Sequence, residues 1–202
     1  MHYIKSVAII GVCISIFGGC AGTGETKKEA ESTQPQAQPQ EVVSPEARQN
    51  YDEALKAMRN GDNDKAKQLL LSLSTTYPNL SGPYTNLGLI YFREGKVDEA
   101  EAAFQHAIKV NPKSAVSYNH LGIIYRGKGK FQEAKQYYEQ ALKINSDYAY
   151  AHLNLGILYD LYLGQLDQAL DHYNRFQALS AEKDPEVEKW IVDLQRRIKS
   201  GQ

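Results

Sequence analysis

The apolar and polar positions between residues 84 and 146 follow one pattern that occurs twice. The stretch YTNLGLIYFREGKVDEAEAAFQHAIKVNP begins at Tyr84, and YNHLGIIYRGKGKFQEAKQYYEQALKINS begins 34 residues later at Tyr118. In each stretch apolar residues recur every three or four positions on both sides of a glycine, Gly95 or Gly129. This is the spacing of two amphipathic helices joined by a tight turn. The pattern therefore predicts two consecutive helical hairpins.

The same pattern continues, less regularly, on both sides. Towards the C-terminus the copy is displaced by one residue within YDLYLG, so that Gly164 takes the place of the turn glycine. Towards the N-terminus, Gly61 and Ala66 lie 34 positions before Gly95 and Ala100. The first unit is degenerate, and the last carries a one-residue insertion. The four predicted units are 46–80, 81–114, 115–148 and 149–182.

Residues 183–202 are predicted to form a helix that covers the last unit. Asp184 and Pro185 are typical of a helix N-cap and first helical position. The apolar residues that follow with helical spacing are Val187, Trp190, Ile191, Leu194 and Ile198. We expect this stripe to pack on the neighbouring hairpin with Trp190 as its main anchor. The alternative is that the helix itself binds a partner.

The recurring residues resemble the tetratricopeptide repeat (TPR), from about Ala47 to Ala181. Small residues at Gly88 and Ala100 and an aromatic one at Phe104 keep the order and the 34-residue period of that repeat. The resemblance implies an all-α fold, in which antiparallel helix pairs form a right-handed TPR superhelix with a C-terminal capping helix. Repetition also has a physical reason: a single hairpin cannot bury its apolar face alone, so neighbouring hairpins must stack.

The resemblance assigns the concave face of the superhelix to the first helix of each unit. Carried over to this chain, it predicts an aliphatic row, a polar row beside it and several larger side chains. The aliphatic row is Leu55, Leu89, Ile123 and Ile157; the polar row is Asp52, Asn86, His120 and Asn154; the larger side chains are Tyr51, Phe92, Arg126 and Tyr150. Such parallel rows suit a peptide segment or an amphipathic helix of a partner protein. The alternative is that the aliphatic row only fills space between neighbouring first helices.

One specialised TPR groove, the carboxylate clamp that grips the acidic C-terminal tails of chaperones, is not expected here. The clamp needs lysine, asparagine and arginine at set positions across three consecutive units. In the two possible registers those positions hold Tyr51, Leu55, Asn86, Val116 and His120, or Thr85, Leu89, His120, Tyr150 and Asn154. Only isolated asparagines match, so the resemblance favours a different ligand.

The first 19 residues read as a bacterial export signal. Lys5 is followed by an apolar run that is too short to cross a bilayer as a helix, and the run ends in FGGC. This ending resembles a lipobox, which implies lipidation of Cys20 and, because Ala21 follows, placement in the outer membrane facing the periplasm. The alternative is an ordinary signal peptide cleaved just before a cysteine. Residues 20–45 are poor in apolar side chains, and we expect them to be a disordered tether behind the lipidated cysteine.

Composition narrows the range of functions further. The chain has a net charge of −1 and a pI near 6.5, so it has no basic surplus for nucleic acid. Its five histidines show no paired metal-ligand spacing, and both cysteines lie within the first 20 residues. No phosphate-binding or nucleophile motif is present. We expect no catalytic residue, metal, cofactor or small-molecule substrate.

These observations favour a lipid-anchored scaffold of the bacterial envelope that binds a protein partner. The resemblance extends to two kinds of TPR lipoprotein: adaptors of murein hydrolases, and pilotins, which escort a secretin in type IV pilus assembly. Pilotins usually carry more repeats than the four seen here, which favours the adaptor. Two alternatives are a small hydrolase that uses His120 and self-assembly through the ends of the superhelix.

Overall fold

The computed structural model describes residues 44–201, and every regular element in that range is helical. The predicted export signal, Cys20 and the tether up to residue 43 lie outside the described residues. The elements in chain order are α1 Pro45–Arg59, α2 Asn63–Thr76, α3 Ser81–Arg93, α4 Val97–Val110, α5 Ala115–Gly127, α6 Phe131–Ile144, α7 Ala149–Leu158, a π-helical turn at Tyr159–Leu163, α8 Leu166–Leu179 and α9 Pro185–Ser200. None of these helices is long and apolar enough to cross a membrane.

The first helix begins within the segment expected to be the end of the tether. The hydroxyl Oγ of Ser44 accepts a hydrogen bond from the amide of Ala47 at 3.1 Å, and Pro45 occupies the first helical position. A serine N-cap followed by proline is a strong start signal, because both satisfy the geometry of a first turn. Residues 44 and 45 therefore belong to the first hairpin.

Helices α1 to α8 form four hairpins, and each hairpin packs on the next. The second helix of each hairpin contacts the first helix of the following one, and α8 contacts α9 in the same way. Within the hairpins the turn glycines have a left-handed backbone, with φ of 73° at Gly95 and 72° at Gly129. Glycine adopts this conformation without the steric cost that a Cβ atom would bring. The predicted turns are confirmed at both positions.

Close contact between the two helices of a hairpin depends on a glycine beneath an aromatic ring. A Cβ atom added at Gly88 would lie 2.7 Å from the ring of Phe104, and one at Gly156 would lie 2.7 Å from the ring of Tyr173. A real Cβ atom essentially never comes this close to a ring carbon, so the rings pack directly on the helix backbone. The three such pairs are Gly88 with Phe104, Gly122 with Tyr138 and Gly156 with Tyr173.

The extra residue of the fourth unit forms the π-helical turn Tyr159–Leu163, just before Gly164. The amide of Gln165 still donates to the carbonyl oxygen of Tyr159 at 2.9 Å, as the amide of Lys130 donates to Tyr125 in the third hairpin. The insertion is thus absorbed inside the helix as one wider turn, and the hairpin turn after it is unchanged.

The core is a chain of three clusters. The N-terminal cluster lies among α1 to α4, the middle cluster joins α4 to α5, and the C-terminal cluster extends from α6 to α9. Their largest buried members are Leu70, Leu87 and Ile90 in the first, Phe104, Leu121 and Ile124 in the second, and Tyr138, Tyr159, Tyr173 and Phe176 in the third. Each hairpin therefore buries apolar surface both between its own two helices and against its neighbours.

The last helix, α9, covers the exposed side of the fourth hairpin as predicted, but Trp190 is not its anchor. The carboxylate of Asp184 accepts hydrogen bonds from the amides of Glu186 and Val187, which confirms the predicted N-cap. Val187 and Leu194 are buried almost completely, whereas Trp190 is 38% exposed. Val187 and Leu194 are two helical turns apart and point in one direction, while Trp190 is rotated towards the edge of that face. The smaller aliphatic side chains therefore hold the helix in place.

Candidate binding groove

The predicted groove residues lie on α1, α3, α5 and α7, the first helices of the four hairpins. Ten of these twelve residues are half-buried, whereas Asp52 and Tyr150 are exposed, Tyr150 over 61% of its surface. In the aliphatic row, Leu89 packs against the middle cluster, and Ile123 and Ile157 pack against the C-terminal cluster. The row thus contributes to packing between hairpins and also leaves an accessible apolar strip.

In the polar row, Asn86 makes a contact between the first two hairpins. The Nδ2 atom of Asn86 donates to Oη of Tyr51 at 2.7 Å and to the carbonyl oxygen of Gly82 at 3.0 Å. A Cβ atom at position 82 would lie 2.6 Å from the Tyr51 hydroxyl, so glycine makes room for it. Burial raises the pKa of Tyr51 above its ordinary value. Asn86 and Tyr51 therefore fix α1 against α3, and part of their hydrogen-bonding capacity is already used.

His120 lies in the row as a packed aromatic ring. It stacks on Phe104 with ring centroids 5.0 Å apart, and Phe92 meets its edge at 5.9 Å. Nδ1 of His120 is 2.9 Å from the carbonyl oxygen of Val116, a distance at which Nδ1–H donates. Burial lowers the pKa of His120, so the ring stays neutral near pH 7. This geometry gives His120 the role of an apolar wall between α3 and α5.

Two buried polar links between first helices were missed by the sequence analysis. Oγ1 of Thr85 is 3.0 Å from Oγ of the fully buried Ser117. Nδ2 of Asn154 donates to Oδ1 of the buried Asn119 at 3.1 Å. Thr85 and Asn119 follow Tyr51 at intervals of 34 residues, so the repeat period marks their place on the first helices but does not reveal their partners. These links hold neighbouring first helices in register.

Arg126 brings a buried charge towards the C-terminal end of the groove. Its Nη1 atom is buried without a hydrogen-bond partner in the described part of the chain, and so is Oη of Tyr138. Burial raises the pKa of Tyr138, and the charge of Arg126 opposes that rise. An unpaired buried donor costs free energy that a water molecule or a ligand oxygen would recover. Arg126 is therefore the predicted groove residue with the clearest unused donor.

Between residues 44 and 201 no group of three or more His, Cys, Asp or Glu side chains is arranged to hold a metal ion. The arrangement described above can provide apolar contact, aromatic faces and a few hydrogen bonds, which is the equipment of a binding surface.

Comparison with known proteins identifies the repeats. Two sequence models of the tetratricopeptide repeat match this chain, one at residues 79–147 and the other at residues 125–189. The chain carries tetratricopeptide repeats. The predicted fold, an all-α right-handed TPR superhelix with a C-terminal capping helix, is confirmed. TPR arrays are scaffolds for protein–protein interaction, and this coarser part of the functional prediction is confirmed as well.

Solved TPR structures show the same fold at low sequence identity. PilF of Pseudomonas aeruginosa is 20% identical, with a TM-score of 0.66 over 77% of this chain and 70% of PilF. MamA of Desulfovibrio magneticus RS-1 is 17% identical, with a TM-score of 0.64 over 78% of this chain and 88% of MamA. The first TPR of Spaghetti, bound to an HSP90 peptide, is 22% identical, with a TM-score of 0.54 over 59% of this chain and 93% of that one. No curated protein matches the chain.

Proposed function

We propose that this chain is a lipid-anchored TPR scaffold of the bacterial envelope that holds a peptide segment or an amphipathic helix of a partner protein. The observation that carries the proposal is the aliphatic row Leu55, Leu89, Ile123 and Ile157, which crosses four consecutive hairpins and stays partly accessible. A continuous apolar strip bordered by polar side chains can take the apolar anchors of an elongated ligand. The exposed ring of Tyr150 beside it adds a large contact surface.

The anchor and the location are proposed from the N-terminal sequence. FGGC ends an apolar run that follows Lys5, which supports lipidation of Cys20, and Ala21 supports the outer membrane facing the periplasm. The tether, shortened to residues 20–43, would span on the order of 25 to 30 Å as a flexible coil, enough to hold the TPR superhelix away from the lipid surface.

The partner class is proposed to be an envelope assembly or murein-processing protein, with the adaptor role preferred. The pilotin role is the alternative, and capture of a secretin subunit would support it. A hydrolase centred on His120 is disfavoured, because its ring is packed between Phe92 and Phe104 and its Nδ1 atom is bonded to its own helix.

Labelling with a radioactive fatty acid in a bacterial host tests the anchor. The full chain should incorporate label, and the Cys20→Ser variant should not. Membrane fractionation of the same cells should move Cys20→Ser to the soluble fraction. A labelled Cys20→Ser variant, or an unlabelled wild-type chain, would refute the anchor and leave the groove untouched.

Crosslinked affinity purification tests the groove. Leu89→Glu combined with Ile123→Glu should remove the captured partner, because two charges would interrupt the aliphatic row. Leu71→Glu is the matched control, since Leu71 is exposed on α2, outside the row. Tyr150→Ala should weaken capture several-fold without loss of stability, because the ring is mostly in solvent. If the double variant folds and still captures the partner, the groove is not the binding site.

A further inference from the structure

A pocket of about 540 Å³ lies at the C-terminal end of the aliphatic row, between α7 with its π-helical turn and α9. Tyr173 of α8 contributes to its lining. This volume lies in the range of pockets that accept a large side chain or a small ligand. Because only the fourth hairpin contains a π-helical turn and is followed by α9, no other described hairpin builds the same pocket.

Part of the pocket lining is apolar and accessible. Ile157 is the last member of the aliphatic row, Leu161 is 67% exposed, and Trp190 is 38% exposed. Leu161 lies on the π-helical turn, and Trp190 lies on the capping helix opposite it. Large apolar side chains that are held in solvent at the mouth of a pocket are typical of a contact site. The exposure of Trp190, which an anchor of α9 would not show, has a reason if the ring serves this pocket.

Another part of the lining carries three carboxylates and two cations. Nη1 of Arg197 is 2.7 Å from Oδ1 of Asp160, and Nζ of Lys189 is 2.7 Å from Oε1 of Glu186. Asp193 is left with the weakest partner, because its Oδ2 atom is 3.7 Å from Nη1 of Arg197, beyond hydrogen-bond distance. Its side chain is 62% exposed. This part of the lining therefore offers one carboxylate, Asp193, that can still bind a cation.

The distance between Trp190 and Asp193 on α9 sets how far apart the apolar residue and the cation of a bound peptide must be. Trp190 and Asp193 are three positions apart and lie on one face of the helix, about 5 to 6 Å from each other. An extended peptide advances about 3.3 Å per residue. A cation that reaches Asp193 therefore belongs one or two residues from an apolar side chain that contacts Trp190 and Leu161.

We propose that this pocket selects the partner of the groove by taking a leucine or aromatic side chain that has a lysine or arginine one or two residues away. The proposal rests on the proposed function, since it names the partner chemistry at one end of the same groove. The apolar side chain supplies contact area, and the cation supplies charge complementarity with Asp193.

Fluorescence titration of the full-length chain tests the pocket directly, because Trp190 is its only tryptophan. The probe is the acetylated and amidated peptide Ala-Phe-Ala-Arg-Ala, and the matched probe carries Glu in place of Arg. The Arg peptide should shift the Trp190 emission to the blue and bind about threefold more tightly than the Glu peptide at low salt, as expected for an exposed ion pair. Salt should reduce the difference.

Charge reversal on the protein supplies the decisive comparison. Asp193→Lys should invert the preference between the two peptides. Glu188→Lys, an equal charge reversal on the same helix but outside the pocket, should leave the preference unchanged. Leu161→Ala should weaken both peptides by a similar factor. Both Asp193 and Leu161 are mostly exposed, so neither variant should lose its fold.

The outcomes separate this proposal from the proposed function. An unmoved Trp190 emission, or equal binding of both peptides to the wild type and Asp193→Lys, overturns the pocket even if partner capture still depends on Leu89 and Ile123. Loss of that dependence, with the peptide preference intact, counts against the extended groove and leaves the pocket in place.

Discussion

At the scale of single residues, His152 on α7 and His172 on α8 meet inside the fourth hairpin. Their Nδ1 atoms are 2.8 Å apart, and Nε2 of His152 is 3.0 Å from the carbonyl oxygen of Ser146. A neutral His152 that donates from Nε2 must accept at Nδ1, so His172 donates its Nδ1 proton across the pair. Two protonated rings would set one N–H donor against the other. The contact therefore disfavours protonation of both rings at once.

This pair predicts a loss of stability in mild acid. Burial, followed by the charge of a protonated His152, lowers the pKa of His172 from 6.5 to about 4. As the pH falls below 6.5, the unfolded chain binds a proton at this residue before the folded chain does. The free energy of unfolding should therefore decrease until about pH 4, by at most about 3 kcal/mol. His172→Gln should remove this part of the pH dependence. The measurement is the free energy of urea unfolding at several pH values between 4 and 6.5.

His106→Gln is the control for that experiment. His106 is an exposed histidine that stacks on Tyr84 in another hairpin, with ring centroids 3.9 Å apart. Comparing the two variants at the same pH values separates the effect of the His152–His172 pair from the loss of any one histidine. If the slope persists in His172→Gln, the acid sensitivity arises elsewhere in the chain.

Residue-level features differ in how far the sequence reveals them. The role of Gly88 beneath Phe104 could be predicted, because a small residue and a large one recur together at the repeat period. The burial of Ser117 and Asn119 could not, because a polar side chain is buried only where a neighbouring hairpin offers it a partner. Position 82 is similar, because only the hydroxyl of Tyr51 in the previous hairpin requires a glycine there. Local spacing carries no information about that contact.

At the scale of elements, the π-helical turn is another feature that the local sequence pattern does not reveal. The one-residue shift at YDLYLG reveals an insertion, but a longer loop and a wider helical turn both return Gly164 to its place. The choice follows from packing: Tyr159 is buried and Asp160 pairs with Arg197 of α9, so the helix continues to serve contacts on both sides. Such pairing across elements is invisible in the repeat pattern.

The capping helix α9 gives the prediction at this scale. Leu194→Ala should cost about 2 to 5 kcal/mol, because it opens a cavity in the C-terminal cluster where Leu194 is fully buried. Trp190→Ala should cost less than that, about 2 kcal/mol, because 38% of the residue is already exposed and its removal leaves no closed cavity. Urea unfolding followed by circular dichroism compares the two variants without relying on tryptophan emission.

The relative order of these two variants is what matters. If Trp190→Ala were the more destabilising change, the indole ring would be the anchor of α9 after all, and its exposure would have no connection with the pocket. Val192→Ala serves as a control for helix propensity, since Val192 is exposed on the outer side of α9.

At the scale of the whole molecule, the three clusters form a line. The N-terminal cluster and the C-terminal cluster meet through the middle cluster, whose buried members come from α4 and α5. A solenoid of this kind is stabilised by each hairpin and by its contacts with its neighbours, without one central core. The same geometry keeps the first helices side by side and so produces the elongated groove. Stability and binding surface are consequences of one arrangement.

A break in the middle of this line should divide the molecule into two unfolding units. Phe104 is the largest buried side chain of the middle cluster, and Phe104→Ala should cost about 3 to 5 kcal/mol. Because little else joins the two outer clusters, hydrogen exchange should show different opening free energies for α1 to α3 and for α6 to α8. The urea transition should broaden, with a smaller m value.

The control is Phe176→Ala, at the C-terminal end, which should reduce protection from hydrogen exchange mainly in α8 and α9. Equal loss of protection in all four hairpins of Phe104→Ala would mean that the superhelix unfolds as one cooperative unit, and the linear account of its core would be wrong.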